Sequence, residues 1–173
     1  MLVDPPGHGG SSPLTRPFTF TDCARVVEQI LDDLGVERAH VIGNSWGGMI
    51  GGTFAALHPG RVGVAVLMNA TASPAGRGQK LQYALLNRVA RLVGAIRPPL
   101  VKPVIDAFLG PTAKSRPHVV AAVTDSVRRV AIGSAAWAVT SVVPNRPDQR
   151  ELFGRISAPV LVVAGAEDAT FPV

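Results

Sequence analysis

The chain has 173 residues, 47% of them apolar and 17% charged, with one cysteine. That is the composition of a globular protein, and it excludes disordered and collagen-like classes. Its length excludes a complete catalytic domain of the roughly 250-residue kind. Cys23 has no partner for an intrachain disulfide, so the core must hold the fold, and a reducing, cytoplasmic compartment is expected. The longest uncharged apolar stretch, residues 130 to 143, falls short of the roughly 20 residues a spanning helix needs, and no membrane span or export signal is expected.

Net charge is +5, distributed unevenly. Residues 71 to 150 hold twelve Arg or Lys against three Asp or Glu, whereas the segments on either side are each acidic by two charges. A basic face suits nucleic acid, anionic lipid or an acidic substrate. Here the cations are interspersed with apolar residues and no nucleic-acid motif accompanies them, so a solvated helical surface is expected and nucleic acid is not.

Leu2 and Val3 read as the end of a strand entering the turn-rich run Asp4-Pro5-Pro6-Gly7-His8-Gly9-Gly10-Ser11. From Thr21 to Leu34 the apolar residues recur at i, i+3, i+4, i+7, i+8 and i+11. The spacing predicts an amphipathic helix capped by Thr21 or Asp22 and stopped by Gly35. Residues 39 to 43 predict a short strand, Ser45 the turn, and residues 46 to 58 a helix ended by Pro59-Gly60. Its four glycines, at 47, 48, 51 and 52, are poor helix formers and imply close packing against a sheet. Residues 62 to 68 form a continuous apolar run suited to a strand buried on both faces of a parallel sheet. This β-α-β-α-β order is an α/β signature.

After Asn69 only helices are predicted, over residues 79 to 96, 100 to 109, 117 to 131 and 134 to 143. Residues 159 to 164 then predict another buried strand, followed by Gly165-Ala166-Glu167-Asp168 and Pro172. Three units follow: residues 1 to 70, the start of the α/β core; 71 to 150, a helical insertion; and 151 to 173, the returning strand and its loop.

Gly43-Asn44-Ser45-Trp46-Gly47 is a G-x-S-x-G between a predicted strand and a predicted helix. A serine on so sharp a turn needs small neighbours, which Gly43 and Gly47 would supply, and the helix start would aim the Trp46 N–H at a developing oxyanion. With this motif the chain resembles the α/β-hydrolase superfamily, in its cap-bearing branch of esterases, lactonases and carbon–carbon hydrolases. Asp4 to Ser11 is similar to that family's D-x-P-G-x-G-x-S loop, and Gly165 to Asp168 with Pro172 to its acid-bearing loop.

The resemblance implies a partial α/β-hydrolase fold, a mostly parallel sheet flanked by helices, with residues 71 to 150 as an all-helical cap. It implies Ser45 as nucleophile, Asp168 as the acid that orients a histidine, and Trp46 as an oxyanion-hole donor. It implies no cofactor and a small-molecule substrate. Serine at the elbow points away from the dehalogenase and epoxide hydrolase branches, which carry aspartate there. In the family the catalytic histidine follows the acid by roughly 25 to 30 residues. No histidine follows Asp168 here; His8, His40, His58 and His118 all precede it. The first three strands and the second oxyanion donor are missing as well, and loss of one donor alone costs about 100- to 1000-fold in rate. The chain therefore reads as a fragment: an impaired serine hydrolase acting on a small ester, lactone or activated C–C bond. A non-catalytic ligand-binding or degenerate relative, and a cofactor-free haloperoxidase or perhydrolase, are the alternatives. Exposed sheet edges predict self-association.

Other side chains carry two readings each. His8, in a loop at a strand end, reads as structural or as a substitute base. The Trp46 ring reads equally as packing or as pocket wall. Trp137, Phe108 and Met49 read as core or pocket lining. Arg88, Arg91, Arg128 and Arg129 read as outward-facing cap residues or as a site for a substrate carboxylate. Cys23, on the apolar stripe of its helix, is expected to be buried rather than reactive.

Overall fold

The computed structural model describes residues 1–98, 100–168 and 170–171. In chain order its elements are α1 (Phe20–Asp33), β1 (Ala39–Asn44), α2 (Trp46–Leu57), a 3-10 turn (Pro59–Arg61), β2 (Val62–Met68), α3 (Arg77–Val93), α4 (Val101–Phe108), α5 (Pro111–Lys114), α6 (Pro117–Arg128), α7 (Ile132–Val142), α8 (Arg150–Phe153) and β3 (Val160–Val163). The expected α/β organisation is present, with a helical stretch between β2 and β3.

The cap of α1 differs from expectation. Thr19, not Thr21 or Asp22, is the N-cap: its hydroxyl accepts from the Asp22 N–H at 3.1 Å, while the Asp22 carboxylate accepts from the Thr19 N–H at 2.9 Å. The reciprocal box needs an acid three residues after the cap, and only Thr19 has one. The Thr19 hydroxyl, donating to the Asp22 carboxylate at 2.7 Å, and the Thr19 N–H hold that carboxyl below its ordinary pKa. The apolar stripe of α1 packs on α2, where Ala24, Leu31 and Phe54 close over Val62 and Leu67 of the sheet.

The three strands are parallel in the order β1-β2-β3, with Ile42, Val66 and Leu161 in one cross-sheet row and Asn44, Met68 and Val163 in another. Helices α1 and α2 cover one face. The opposite row is open, with Ile42 67% and Leu161 55% exposed. The expectation of a buried strand at residues 159 to 164 is corrected here: all four residues of β3 are exposed, because α2 packs over β1 and β2 and leaves β3 uncovered among the described residues. Leu2 and Val3 form no strand either. They are exposed and find no pairing partner among the described residues.

The turn-rich loop that follows them is ordered by its own acid and by α7. Asp4 accepts from the Gly10 N–H at 2.8 Å. The Ser134 hydroxyl accepts from the Leu14 N–H at 2.9 Å and donates to the Gly7 carbonyl, and Ser141 accepts from the Phe18 N–H.

The Thr19→Ala variant, which removes half of the capping box, is expected to lower the unfolding free energy by about 1 kcal/mol, read from a urea titration.

Candidate functional site

Because the strands are parallel, their carboxyl ends lie along one edge, and the turns that leave them meet there. Ser45 leaves β1, Asn69 leaves β2, and the Gly165 to Asp168 turn leaves β3. Crevices at this edge of an open α/β sheet are where ligands bind. A cleft of about 270 Å³ opens there, lined by Ser45, Asn69, Asp168, Phe171 and, from the helical insertion, Phe108 and Leu109.

Ser45 sits at φ 51, ψ −118, a conformation that side-chain-bearing residues rarely adopt. It is held by three hydrogen bonds: its N–H donates to the Met68 carbonyl at 2.8 Å, and its carbonyl accepts from the Gly48 and Met49 N–H groups. The turn is possible because of Gly43. A Cβ at that position would lie 2.1 Å from the Gly47 carbonyl oxygen, so any side chain would push strand and helix apart.

Gly47 is different. Nothing stands within 4 Å of a Cβ built there, so the expectation that it too supplies room is corrected. The crowded glycine is Gly48, whose Cβ would meet Ala70 at 2.7 Å and the Met68 carbonyl at 3.3 Å. Gly51 lies against Val41 and Gly52 against the Phe153 ring, which accounts for most of the glycine content of α2 by close packing.

The side-chain hydroxyl of Ser45 forms no hydrogen bond with the described residues, and it stands at the positive end of α2. The N–H of Trp46, in the first turn, has no intrahelical acceptor. The Trp46 ring turns away from the cleft, stacked on Phe18 at 4.8 Å and edge-on to His8 at 4.8 Å; its role is packing. His8 directs Nδ1 to the Pro6 carbonyl at 3.2 Å. His58 pairs with Glu28 at 2.8 Å and stacks on Phe54, His40 lies beside Gly63, and His118 is exposed on α6. Among the described residues, none of the four histidines lines the cleft.

Asn69 escaped notice in the sequence, and it organises this edge. Its Nδ2 donates to Asn44 Oδ1 at 3.0 Å and its Oδ1 accepts from the Gly165 N–H at 2.8 Å, while its own N–H donates to the Val163 carbonyl. One side chain thus ties the ends of three strands. Its backbone is also left-handed, at φ 45, which asparagine tolerates better than most residues. The only signal in the sequence was an asparagine directly after a buried strand.

The Gly165 to Asp168 turn is closed by the Asp168 N–H donating to the Gly165 carbonyl. Asp168 Oδ1 accepts from the N–H groups of Thr170 at 2.8 Å and Phe171 at 3.0 Å, which orients the carboxylate from below. Pro172, part of the expected motif, lies outside the described residues.

Beside Asp168, the Glu167 carboxylate accepts from the Thr112 N–H at 2.9 Å and hydroxyl at 2.6 Å, and these bonds hold it below its ordinary pKa. Thr170 donates to the Ala107 carbonyl at 2.9 Å. Together they bolt the turn to the end of α4 and the start of α5.

Of the remaining candidates, Phe108 lines the cleft and Met49 is fully buried in the core. Trp137 lies under the Arg91 guanidinium, 4.4 Å from its carbon. Arg88 and Arg91 line a separate hollow between α3 and α7, and Arg128 and Arg129 are exposed at the end of α6. Burial pushes the Cys23 thiol up to about 12, so it is inert as expected. Among the described residues no three His, Cys, Asp or Glu side chains converge to hold a metal ion.

Two outcomes follow from this geometry. Asn69→Ala removes two side-chain hydrogen bonds and leaves alanine at positive φ, and is expected to cost about 2–3 kcal/mol of unfolding free energy in urea. The Glu167 bolt belongs to a carboxylate whose folded pKa is depressed, so it is intact above the ordinary carboxylate value and opens as pH falls through the lower, folded one. Hydrogen exchange should show Thr112 amide protection falling over that range in the native chain, and low at every pH in Glu167→Ala.

A sequence profile of the alpha/beta hydrolase fold matches residues 1–173. A 2-hydroxy-6-oxononadienedioate/2-hydroxy-6-oxononatrienedioate hydrolase of Paraburkholderia phymatum is 31% identical over 181 aligned residues, covering 100% of this chain and 61% of that protein. Among solved structures, a hydrolase from Pseudomonas aeruginosa PA01 superposes with a TM-score of 0.85 at 27% identity, over 98% of this chain and 62% of the other. A thermophilic esterase from Thermogutta terrifontis gives 0.85 at 23% identity, a likeness of fold alone. The chain spans about three-fifths of the length of these relatives. By the match over its whole length, it belongs to the alpha/beta hydrolase fold family.

Proposed function

We propose that Ser45 is the nucleophile of a serine hydrolase that cleaves a small ester, lactone or activated carbon–carbon bond through an acyl-enzyme. The observation that carries this reading is the strained serine at the positive end of α2, in one cleft with Asp168. Strain of this kind persists only where packing enforces it, and it gathers at functional sites.

In the proposed step Ser45 Oγ attacks the substrate carbonyl carbon and its proton passes to a general base. The Trp46 N–H and the helix dipole stabilise the oxyanion. Collapse breaks the scissile bond, the leaving group takes the proton, and water then hydrolyses the acyl-serine. Asp168, whose Oδ1 is fixed by two backbone N–H groups, holds the base in the correct tautomer. Residues 71 to 150 serve as the cap, bringing Phe108 and Leu109 to the cleft.

The step needs an imidazole at Ser45, and the four histidines of these 173 residues stand elsewhere. The second reading is a binding module that keeps the elbow without the chemistry. Added imidazole separates the two. A fluorophosphonate reagent is expected to label the chain slowly at Ser45, with labelling accelerated by free imidazole, abolished in Ser45→Ala, and less responsive to imidazole in Asp168→Asn. Labelling that survives Ser45→Ala, or no labelling even with imidazole, would leave the binding module as the reading.

A further inference from the structure

We propose that the outward face of α3 seats the protein on an anionic phospholipid bilayer, a surface contact independent of the Ser45 reading. Helix α3 has no buried residue. The side turned to the protein carries the half-buried Tyr83, Asn87 and Ala90: Asn87 Nδ2 donates to the Ala136 carbonyl at 2.8 Å and to the Thr140 hydroxyl at 3.0 Å, and Arg91 lies on the Trp137 ring. A line of leucines faces solvent. Leu81, Leu85 and Leu92 fall at i, i+4 and i+11, one line along the helix, and are 73%, 61% and 80% exposed.

Charge decides what covers this line. Helix α3 holds Arg77, Lys80, Arg88 and Arg91 and no acid. Within residues 71 to 150 the acids are Asp106, Asp125 and Asp148; Asp106 is paired with Lys102 and Lys114, and Asp148 with Arg150. A second copy docked through α3 would oppose cation to cation, and a nucleic acid would set phosphates against leucines. An anionic bilayer answers both features, because its acyl boundary takes the leucines while its headgroups take the cations. Beside Leu92, an open hollow of about 450 Å³ presents Arg88 and Arg91 with Asn87 and Thr140, a seat for a headgroup phosphate.

The test is co-sedimentation of the 173-residue chain with phosphatidylcholine vesicles, with and without phosphatidylglycerol. Binding is expected to be at least about tenfold stronger to the anionic vesicles and to weaken with salt. The combined variant Leu81→Gln, Leu85→Gln and Leu92→Gln is expected to lose at least about tenfold in partitioning. Its Tm should be unchanged, since these side chains are exposed. Arg88→Gln should lose less. As a second measurement, Leu85→Cys carrying an environment-sensitive dye should shift to the blue on anionic vesicles and not on neutral ones; Cys23 is buried and leaves the labelling specific. Three results would overturn the proposal: no binding to anionic vesicles, equal binding by the triple variant with no shift of the dye, or a native dimer that the triple variant dissolves.

Discussion

The approach of Gly43 to the first turn of α2 is the constraint on which the carboxyl edge of the sheet is built. With 2.1 Å between a Cβ at 43 and the Gly47 oxygen, only glycine lets β1 turn back as a helix within one residue. Ser45 is the residue that makes the reversal, and it does so at a backbone conformation costing about 1–3 kcal/mol. The surroundings hold it there. Met49 and Phe54 of α2 are fully buried, and the Ser45 backbone is bonded both to β2 and to its own helix. Release of the strain would require lifting α2 from the core.

Among the described residues the other non-glycine residue at positive φ, Asn69, lies at the end of the neighbouring strand. The two left-handed residues therefore stand side by side where β1 and β2 end, and Asn69 links them to the turn that presents Asp168. A parallel sheet supplies no hydrogen bonds between its exit loops; each chain leaves in its own direction. The amide of Asn69 substitutes for that missing pairing with one donor to Asn44 and one acceptor for Gly165. Ser45 and Asp168, 123 positions apart in the chain, share one cleft, and the Asn69 side chain ties the strand end before one to the turn that carries the other.

What was legible in the sequence was local. The i, i+3, i+4 recurrence of α1 and the elbow motif are short-range patterns, and β2 falls on the expected residues. What was not legible depends on neighbours. The run at Val160 to Val163 is as apolar as that at Val62 to Met68, yet α2 lies over β2 and not over β3, a difference of tertiary packing that no window of residues contains. Leu2 and Val3 failed as a strand for the same reason, since a strand exists only with a partner. Gly47 and Gly48 are chemically alike and adjacent, and only the position of Ala70 tells which is crowded. Asn69 acts through partners 25 and 96 residues away.

Arg146 shows how the helices between β2 and β3 are fastened to this edge. Its side chain is 5% exposed and has no carboxylate partner among the described residues, an expensive placement for a charge, and burial pulls its pKa down. Neutral acceptors compensate it. Nε donates to the Ser73 carbonyl at 2.9 Å, while the terminal nitrogens reach the Val142 carbonyl and the Gln79 side chain. Val142 is the last residue of α7, whose negative dipole end suits a cation. The guanidinium also lies 5.5 Å from the Phe171 ring, and the Phe171 N–H is one of the two that orient Asp168. A neutral residue of equal size would avoid the desolvation cost but could not reach three segments at once. The charge is tolerated because one guanidinium gathers the loop after β2, the start of α3 and the end of α7 beneath the turn that carries the acid.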